Sequence, residues 1–431
     1  MTDNERNYSN LIASILNISV HDIEDIRIAQ ESDGPVIYLT PKNKKDMVCP
    51  YCRSRSYHSI GFYKRSIALD NDFIIHEKVI LKTRRYACNI CGRSFSDKAG
   101  IVPDNKKVSY KMILRIMELL KNPQMTFRNV SELTGVSIQT VIRVFDDHTH
   151  IPRKPFPEAI CIDEVYTKLN DYKNSKYSCI FYDFTTRKIL DVLPCRRKNY
   201  LSYYLDQLPI QERNNVRYVS IDMYQPYRDI VRRYFKKAII SVDSFHVVSH
   251  LNDDLNRLRI RIMKQYDPHS QEYYLLNQFR FLLLDRHIDL DNKGRYNRRF
   301  QRFLNYRQIL NMMLSIDKQL EEGYRLKELY LSFNSKADIL EAREYLDDIV
   351  NDFIVSGIEE FKEFITLQLN WRDEIINSFI RYNGARLSSG PAESINNTVS
   401  CLIYNTRGIR DSERRRKRIM YVVNKEGFTL I

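Results

Sequence analysis

The sequence predicts a multidomain α+β protein. A cysteine-clamped β ribbon and a pair of short helices come first, followed by an α/β domain that an all-helical insertion interrupts. Three observations predict this layout. Two CxxC pairs lie near the N-terminus, separated by 35 residues. Short β-rich runs alternate with helical stretches between residues 158 and 250. The span from 227 to 390 contains one proline, Pro268, and carries helical periodicity.

Length and charge narrow the class of protein. The 431 residues exceed one ordinary domain. The net charge of +14, from 68 Lys and Arg against 54 Asp and Glu, favours a polyanionic partner, nucleic acid first. Eight cysteines in a chain this long do not suggest a secreted disulfide scaffold. No apolar stretch is long enough to span a bilayer and the N-terminus lacks a signal-peptide pattern, so we expect a soluble intracellular protein without a membrane partner.

The two CxxC pairs predict a structural zinc site. Each pair places two thiolates on one tight turn, and two such turns complete a tetrahedral sulfur site for Zn²⁺. The ligands would be Cys49, Cys52, Cys88 and Cys91. Strand-like runs between the pairs indicate a zinc ribbon over residues 47–105, after an N-terminal segment over 1–46. The alternative is two unrelated reduced pairs. The other cysteines lie in apolar runs and are expected in cores: Cys161, Cys179, Cys195 and Cys401.

Residues 106–151 predict a helix-turn-helix. A helix over 109–122 precedes two shorter ones: Thr126 caps a helix through Leu133, Gly135 supplies the turn, and Ser137 caps the second helix. That second helix would enter the DNA major groove. Its predicted DNA-binding residues are Ser137, Gln139, Thr140 and Arg143. An ordinary α-hairpin is the alternative. Three prolines within 152–157 then mark a linker.

Three strands of the α/β domain, predicted over 158–250, end alike. The runs ICID, VSID and ISVD finish at Asp163, Asp222 and Asp243. If the strands are parallel neighbours, these aspartates converge at one sheet edge. Clustered carboxylates need a cation among them, and oxygen ligands suit Mg²⁺ or Mn²⁺. Because successive strand residues face opposite ways, we expect Asp163 in the site and Glu164 at its rim.

The helical insertion is predicted over residues 251–385. Its tryptophan, Trp371, is expected to pack in a core, and a wedge that stacks on DNA is the alternative. Four cations on its first helix form either a solvated surface or a phosphate track: Arg257, Arg259, Arg261 and Lys264.

Residues 386–431 contain a late glutamate. Gly390 and Pro391 open a helix that places Glu393 in its first turn, and Asn396 and Asn397 follow on the same face. A polar stripe of this kind suits a site for metal and phosphate. The alternative is that Glu393 only complements the helix dipole. The basic run over residues 414–418 is expected to be a solvated or phosphate-facing helix surface.

The ordered motifs resemble one family over about residues 49–420. The segments CPYC…CNICG, CIDEVY, SIDMYQPY, VDSFHVV and SSGPAESINN…NTRG are similar to those of the ISL-three family of bacterial insertion-sequence transposases. The resemblance implies a catalytic domain of ribonuclease-H-like fold. It also implies that Asp163, Asp222 and Glu393 form the DDE triad, which would hold two Mg²⁺ or Mn²⁺ ions.

The same resemblance assigns accessory residues. The segment DSFH is similar to a C/DxxH signature, so His246 would contact DNA near the scissile phosphate. A helix-capping role for Asp243 is the alternative. Asn396, Asn397 and the arginine of NTRG, Arg407, would lie near the site.

The implied function is transposition. The protein would bind the terminal inverted repeats of an insertion sequence through its zinc ribbon and helix-turn-helix, cleave DNA with Mg²⁺, and join the freed 3′-OH to target DNA. A homodimer or larger assembly on double-stranded DNA is expected, in the bacterial cytoplasm with the nucleoid. One alternative is a transposase-derived DNA-binding regulator without cleavage activity. Another is a metal-dependent nuclease without strand transfer.

Overall fold

The computed structural model describes two compact units of mixed α and β structure. The described residues are 10–16, 18–32, 34–42, 47–69, 78–97, 101–102, 107–167, 175–285, 290, 293–388, 390–406 and 409–430, and the side chains of 390–394 lie outside this set. The first unit comprises Met1–Pro152 and Thr398–Ile431, and the second comprises Arg153–Asn397. No helix in the described ranges is long and apolar enough to cross a membrane.

A five-stranded sheet dominates the first half of the first unit. Helix α1 over residues 10–15 and a 3₁₀ turn at Val20–Asp22 precede its strands. The strands are β1 (Ile23–Glu31), β2 (Gly34–Pro41), β3 (Tyr57–Ile67), β4 (Lys78–Cys88) and β5 (Ser94–Ser96). Their order is β1-β2-β4-β3, with β5 also paired to β4. β2 and β4 are parallel and the other pairs are antiparallel. The segment before residue 47 therefore shares a sheet with the predicted ribbon.

Three helices follow, and the second and third begin directly after the predicted capping residues Thr126 and Ser137. They are α2 (Tyr110–Leu119), α3 (Phe127–Thr134) and α4 (Ile138–His148). The Thr126 side chain accepts a hydrogen bond from the Asn129 amide at the start of α3, and Ser137 accepts one from the Thr140 amide at the start of α4. Gly135 ends α3 in the left-handed conformation. Phe127 and Phe145 pack edge to face across α3 and α4.

The C-terminal helix α17 (Ser412–Asn424) belongs to this first unit. Tyr421 donates a hydrogen bond to the carbonyl oxygen of Met117 at 2.9 Å, and its ring packs on Phe145. The sequence predicted one segment over residues 386–431. In the structure, the boundary between the two units falls within α16 (Gly390–Asn405), at residue 398. The division follows from apolar and hydrogen-bonding contacts between α17 and the three-helix region.

The expectation that residues 414–418 form a solvated surface is wrong for two of its arginines. Arg415 is 4% exposed and Arg418 is 1% exposed. Arg418 donates to the carbonyl oxygens of Asn122 and Met125, the chain that joins α2 to α3. Burial lowers the pKa of Arg418 to about 9. These arginines hold the first unit together, because helical spacing turns part of a consecutive run inward.

The sheet of the second unit contains the three apolar runs that lead to Asp163, Asp222 and Asp243, although the first strand continues past Asp163 to Tyr166. Its strands are β6 (Ala159–Tyr166), β7 (Tyr177–Asp183), β8 (Ile189–Leu193), β9 (Tyr218–Ile221) and β10 (Ile239–Val242). Their order is β10-β9-β6-β7-β8. β6, β7 and β8 pair antiparallel, whereas β9 pairs parallel to both β6 and β10. The predicted parallel neighbourhood of these three strands is therefore present.

Helices cover this sheet and continue into the insertion. Those nearest the strands are α5 (Lys198–Asp206), α6 (Ile210–Asn215), α7 (Gln225–Tyr234) and α8 (Ser244–Met263). The insertion continues with α9 (Gln271–Gln278), α10 (Phe281–Leu284), α11 (Tyr306–Leu314), α12 (Lys318–Lys336), α13 (Ile339–Val355), a 3₁₀ turn at Glu359–Phe361, α14 (Lys362–Asn370) and α15 (Arg372–Asn377). Two hairpins interrupt it, β11 (Arg295–Asn297) with β12 (Arg302–Leu304) and β13 (Arg381–Tyr382) with β14 (Ala385–Arg386). The predicted all-helical insertion thus contains short strands.

The insertion and the sheet share one apolar core. Val219 and Val242 of the sheet belong to the same buried cluster as Leu258 of α8 and Phe361. Trp371 is 7% exposed and belongs to this cluster, which confirms its expected core position. The Arg228 guanidinium carbon lies 3.5 Å from the centre of its indole ring.

The cations on α8 do not form an open phosphate track. Arg257 pairs with Asp254 and Glu363, and Arg261 pairs with Glu360 at 2.6 Å. Arg259 is buried and donates to the carbonyl oxygen of Leu276. These three arginines therefore already have carboxylate or carbonyl partners within the second unit.

Candidate functional site

Four cysteines form a compact sulfur cluster in the first unit. The ligand atoms of Cys49, Cys52, Cys88 and Cys91 all lie within 4.8 Å of one another. The Sγ atoms of Cys49 and Cys91 are 3.7 Å apart, and those of Cys52 and Cys88 are 3.5 Å apart. Tetrahedral zinc with Zn–S bonds of about 2.3 Å separates its sulfurs by about 3.8 Å. The cluster therefore fits a zinc ion.

The two turns that carry these thiols have matching backbones. In the first, the Arg53 amide bonds the Cys49 carbonyl, and in the second the Gly92 amide bonds the Cys88 carbonyl. Arg53 and Gly92 both adopt left-handed conformations, with φ of 59° and 65°. A hydrogen bond from the Cys91 amide lowers the pKa of the Cys88 thiol to about 6. This turn therefore favours the thiolate, which is the form that binds metal.

The helix-turn-helix exposes the residues predicted to contact DNA. Ser137, Gln139 and Arg143 are exposed, and Thr140 is half-buried. The opposite face of α4 is buried through Val141, Val144 and Phe145. The first turn of α4 therefore presents polar side chains to solvent, as a DNA-reading helix requires.

Strand register brings the three aspartates to one level of the second sheet. Ile162 pairs with Ile221, and Ile221 pairs with Val242, so each aspartate follows a paired residue. The Asp243 amide continues the ladder to the Ile221 carbonyl at 3.0 Å. Neighbouring strands lie about 4.8 Å apart, and paired residues of parallel strands share a face. Asp163, Asp222 and Asp243 therefore lie side by side. Asp222 and Asp243 directly follow β9 and β10, whereas Asp163 lies within β6, which continues to Tyr166 in its pairing with β7.

Asp163 is the most enclosed member of a hydrogen-bonded set. It is 7% exposed, its Oδ1 accepts from the Glu164 amide at 2.7 Å, and its Oδ2 accepts from Asn396 Nδ2 at 2.6 Å. Burial raises the pKa of Asp163 to about 6, against these hydrogen bonds and with a further rise from the charge of Asp222. A buried carboxylate of this kind gains strongly from a bound cation.

His246 lies between the other two aspartates. Its Nδ1 is 3.8 Å from Asp222 Oδ1, and its Nε2 is 3.9 Å from Asp243 Oδ2. Asp243 caps α8, because its Oδ1 accepts a hydrogen bond from the Phe245 amide at 3.0 Å. The Ser388 hydroxyl also lies 3.5 Å from that oxygen. Asp243 therefore caps α8, as the alternative interpretation of the DSFH segment predicted, and it also lies close to His246.

The late helix is described only in part. Glu393 lies in α16, and its side chain falls outside the described residues, as does Arg407 altogether. Asn396 is half-buried and contacts Asp163, whereas Asn397 is exposed. The structure therefore brings Asp163, Asp222, Asp243, His246 and Asn396 into one neighbourhood.

Two residues near this neighbourhood were missed by the sequence analysis. The hydroxyl of Tyr182, in β7, donates to Asn396 Oδ1, and burial raises the pKa of Tyr182 well above its usual value. Arg196 pairs with Glu164 and lies 4.1 Å from the ring of Tyr177. Neither residue belongs to a motif, so only the strand pairing of β6 with β7 could have suggested them.

These features define the class of protein when they are set beside known families. Residues 160–419, from β6 into α17, match the model of a family described as transposases, and that range covers more than half of the chain. It includes all three strand-end aspartates and α16. The chain belongs to the ISL3 family of transposases.

A curated relative points the same way. The chain is similar to the transposase for insertion sequence element IS1001 of Bordetella parapertussis, with 23% identity over 270 residues. The alignment covers 60% of this chain and 63% of the relative, so the chain spans less than two thirds of that protein's length.

Proposed function

We propose that this transposase binds the terminal inverted repeats of an insertion sequence, cleaves DNA with Mg²⁺ and transfers the freed 3′-OH strand to target DNA. Asp163, Asp222 and Glu393 would hold the metal ions. Asp243, His246, Asn396, Asn397 and Arg407 would surround them. The observation that carries this proposal is the 2.6 Å hydrogen bond from Asn396 to Asp163, because it joins the late helix to the first catalytic strand.

Helix geometry extends that observation to the glutamate. Positions 393 and 396 are three residues apart in α16 and share one helix face. This spacing supports the proposal that Glu393 lies near Asp163. The order β10-β9-β6-β7-β8, with β9 parallel to β6 and β10, supports the ribonuclease-H-like fold that the family resemblance implies.

The donor set suits a hard divalent cation. Asp163 and Asp222 offer carboxylate oxygens, the ligands that Mg²⁺ and Mn²⁺ prefer. Burial raises the pKa of Asp163 to about 6, so the carboxylate lacks the solvation that a cation would replace. Two bound ions would lower the pKa of an attacking water or 3′-hydroxyl and stabilise the departing 3′ oxygen.

Protein groups would orient the reacting DNA. Asn396 and the Glu164 amide fix both oxygens of Asp163, which sets the direction of the remaining lone pairs. The half-buried His246 ring would donate to a phosphate oxygen near Asp222. The helix-turn-helix would read the element ends, and two ends joined to one target require a homodimer or larger assembly.

The test is an Asp163→Asn variant on a labelled duplex that carries one element end. Binding should persist while Mg²⁺-dependent nicking falls at least 1,000-fold. Asp183→Asn is the matched control, because Asp183 lies in the same sheet but pairs with Ile160, three residues before Asp163 in β6. Nicking that survives in Asp163→Asn would refute the site. Wild-type binding without nicking would favour the DNA-binding regulator, and nicking without joining would favour a plain nuclease.

A further inference from the structure

The zinc-bearing part of the first sheet has an unbalanced charge. Residues 47–69 contain four Lys or Arg and residues 78–96 contain five, and neither range contains an Asp or Glu. These ranges include all of β3 and β4, which pair antiparallel over their whole length. Six of these nine cations lie in β3 and β4 themselves, and like charges repel across a sheet.

The conflict is sharpest at one cross-strand pair. Lys64 of β3 lies directly opposite Lys82 of β4, and both ammonium groups approach the same ring, that of Tyr38, at 5.8 and 5.0 Å. Within the described part of the chain, neither ammonium is paired with a carboxylate. Like charges directly opposite each other in a sheet are destabilising. One shared aromatic ring offsets this repulsion only in part.

The same face continues with a basic and an aromatic residue. Arg84 lies two positions beyond Lys82, so both side chains face the same way. The Arg84 guanidinium carbon is 5.2 Å from the ring of Phe62, which is 51% exposed on the edge strand β3. Arg84 also pairs at 3.2 Å with Glu24, in a solvated contact that contributes little. On this face Lys64 is exposed, and Lys82 and Arg84 are half-buried beside it.

We propose that this face of β3 and β4, centred on Lys64 and Lys82, binds the phosphate backbone of duplex DNA. DNA phosphates placed against Lys64 and Lys82 would offset the repulsion between these two ammonium groups in the free protein. The contact would be independent of sequence, and it would complement base reading by α4. The inference rests on the proposed function, because it assumes that DNA is the partner.

The experiment measures duplex binding by the full-length, zinc-loaded chain. Fluorescence anisotropy on two unrelated 30-base-pair duplexes, across a series of salt concentrations, gives affinity and salt slope. Lys64→Gln with Lys82→Gln should reduce the slope of log K against log salt by about 2, at about 0.9 per phosphate contact. Affinity at 0.1 M salt should fall roughly 10- to 100-fold on both duplexes. The melting temperature should rise, because the repulsion is gone.

Two matched variants separate the alternatives. Lys64→Arg with Lys82→Arg keeps both charges and should retain the slope. Lys318→Gln with Lys336→Gln removes two exposed charges at the ends of α12 and should change affinity less than 3-fold. An unchanged slope, an equal loss in the α12 variant, or a lower melting temperature alongside weaker binding would overturn the inference. Wild-type protein that binds neither these duplexes nor an element end would overturn the proposed function as well.

Discussion

Replacing Asp163 with asparagine should stabilise the metal-free second unit at neutral pH. Raising the pKa of Asp163 from 3.8 to about 6 costs the folded state about 3 kcal/mol once the group is ionised. Asparagine at position 163 removes this cost. However, its side-chain amide nitrogen cannot accept the hydrogen bond that Asn396 donates to Asp163, and losing that bond destabilises the folded state by about 1 kcal/mol. The net gain is about 2 kcal/mol. In a unit of this size it corresponds to a rise in melting temperature of about 4–8 °C.

The sign of the pH dependence follows from proton binding. Between pH 3.8 and about 6 the folded chain holds more protons at Asp163 than the unfolded chain, so wild-type stability falls as pH rises through this window. The penalty grows from about 0.5 kcal/mol at pH 4 to about 3 kcal/mol above pH 7. The advantage of Asp163→Asn should therefore be absent at pH 4 and complete at pH 7.5.

The assay is thermal unfolding of zinc-loaded, magnesium-free protein at several pH values. Adding Mg²⁺ should then stabilise the wild type, by about 2.7 kcal/mol at 100 times the dissociation constant, and leave Asp163→Asn almost unchanged. A variant that is less stable than the wild type at pH 7.5, or an advantage that does not vary with pH, would refute the interpretation of Asp163 as a desolvated carboxylate.

Three further substitutions test other parts of the structure. Gly427→Ala should destabilise the first unit by about 2–4 kcal/mol in denaturant unfolding, because Gly427 has φ of 95° and an added Cβ would lie 2.3 Å from Ile151 Cγ1. Arg53→Gly should stabilise the zinc-loaded first unit by about 1 kcal/mol in the same assay, since glycine adopts the left-handed conformation without strain. Arg196→Met should lower Mg²⁺-dependent nicking about 10-fold by leaving Glu164 without its cation, and Arg196→Lys should restore part of the rate in the same gel assay.

Local patterns predicted the parts of the structure that depend on local chemistry. The CxxC spacing predicted a sulfur cluster, and the helix caps at Thr126 and Ser137 were located to the residue. The shared ending of three strands predicted parallel neighbours, which the register of β6, β9 and β10 confirms. In each case the signal in the sequence is short: a CxxC turn, a capping residue, or an aspartate after an apolar run.

Features that depend on distant partners could not be predicted. β1 and β2 join the sheet of the strands next to the cysteine cluster through the parallel pairing of β2 with β4, which no turn residue encodes. The same applies to Tyr182, which reaches Asn396 across more than 200 residues of sequence. Polar contacts of this range depend on the finished packing of the sheet against α16. A single sequence does not display that packing.

The distribution of the basic residues shows why net charge alone does not locate the proposed DNA-binding surface. The densest run, residues 414–418, lies on a helix whose 3.6-residue period turns Arg415 and Arg418 into the interior. β3 and β4 contain fewer cations per residue and no Asp or Glu. Because side chains alternate between the two faces of a strand, Lys64 and Lys82 lie opposite each other on one face. Neither has a carboxylate partner among the described residues. We therefore base the proposed polyanion site on the opposed pair Lys64 and Lys82 and not on the count of positive charges.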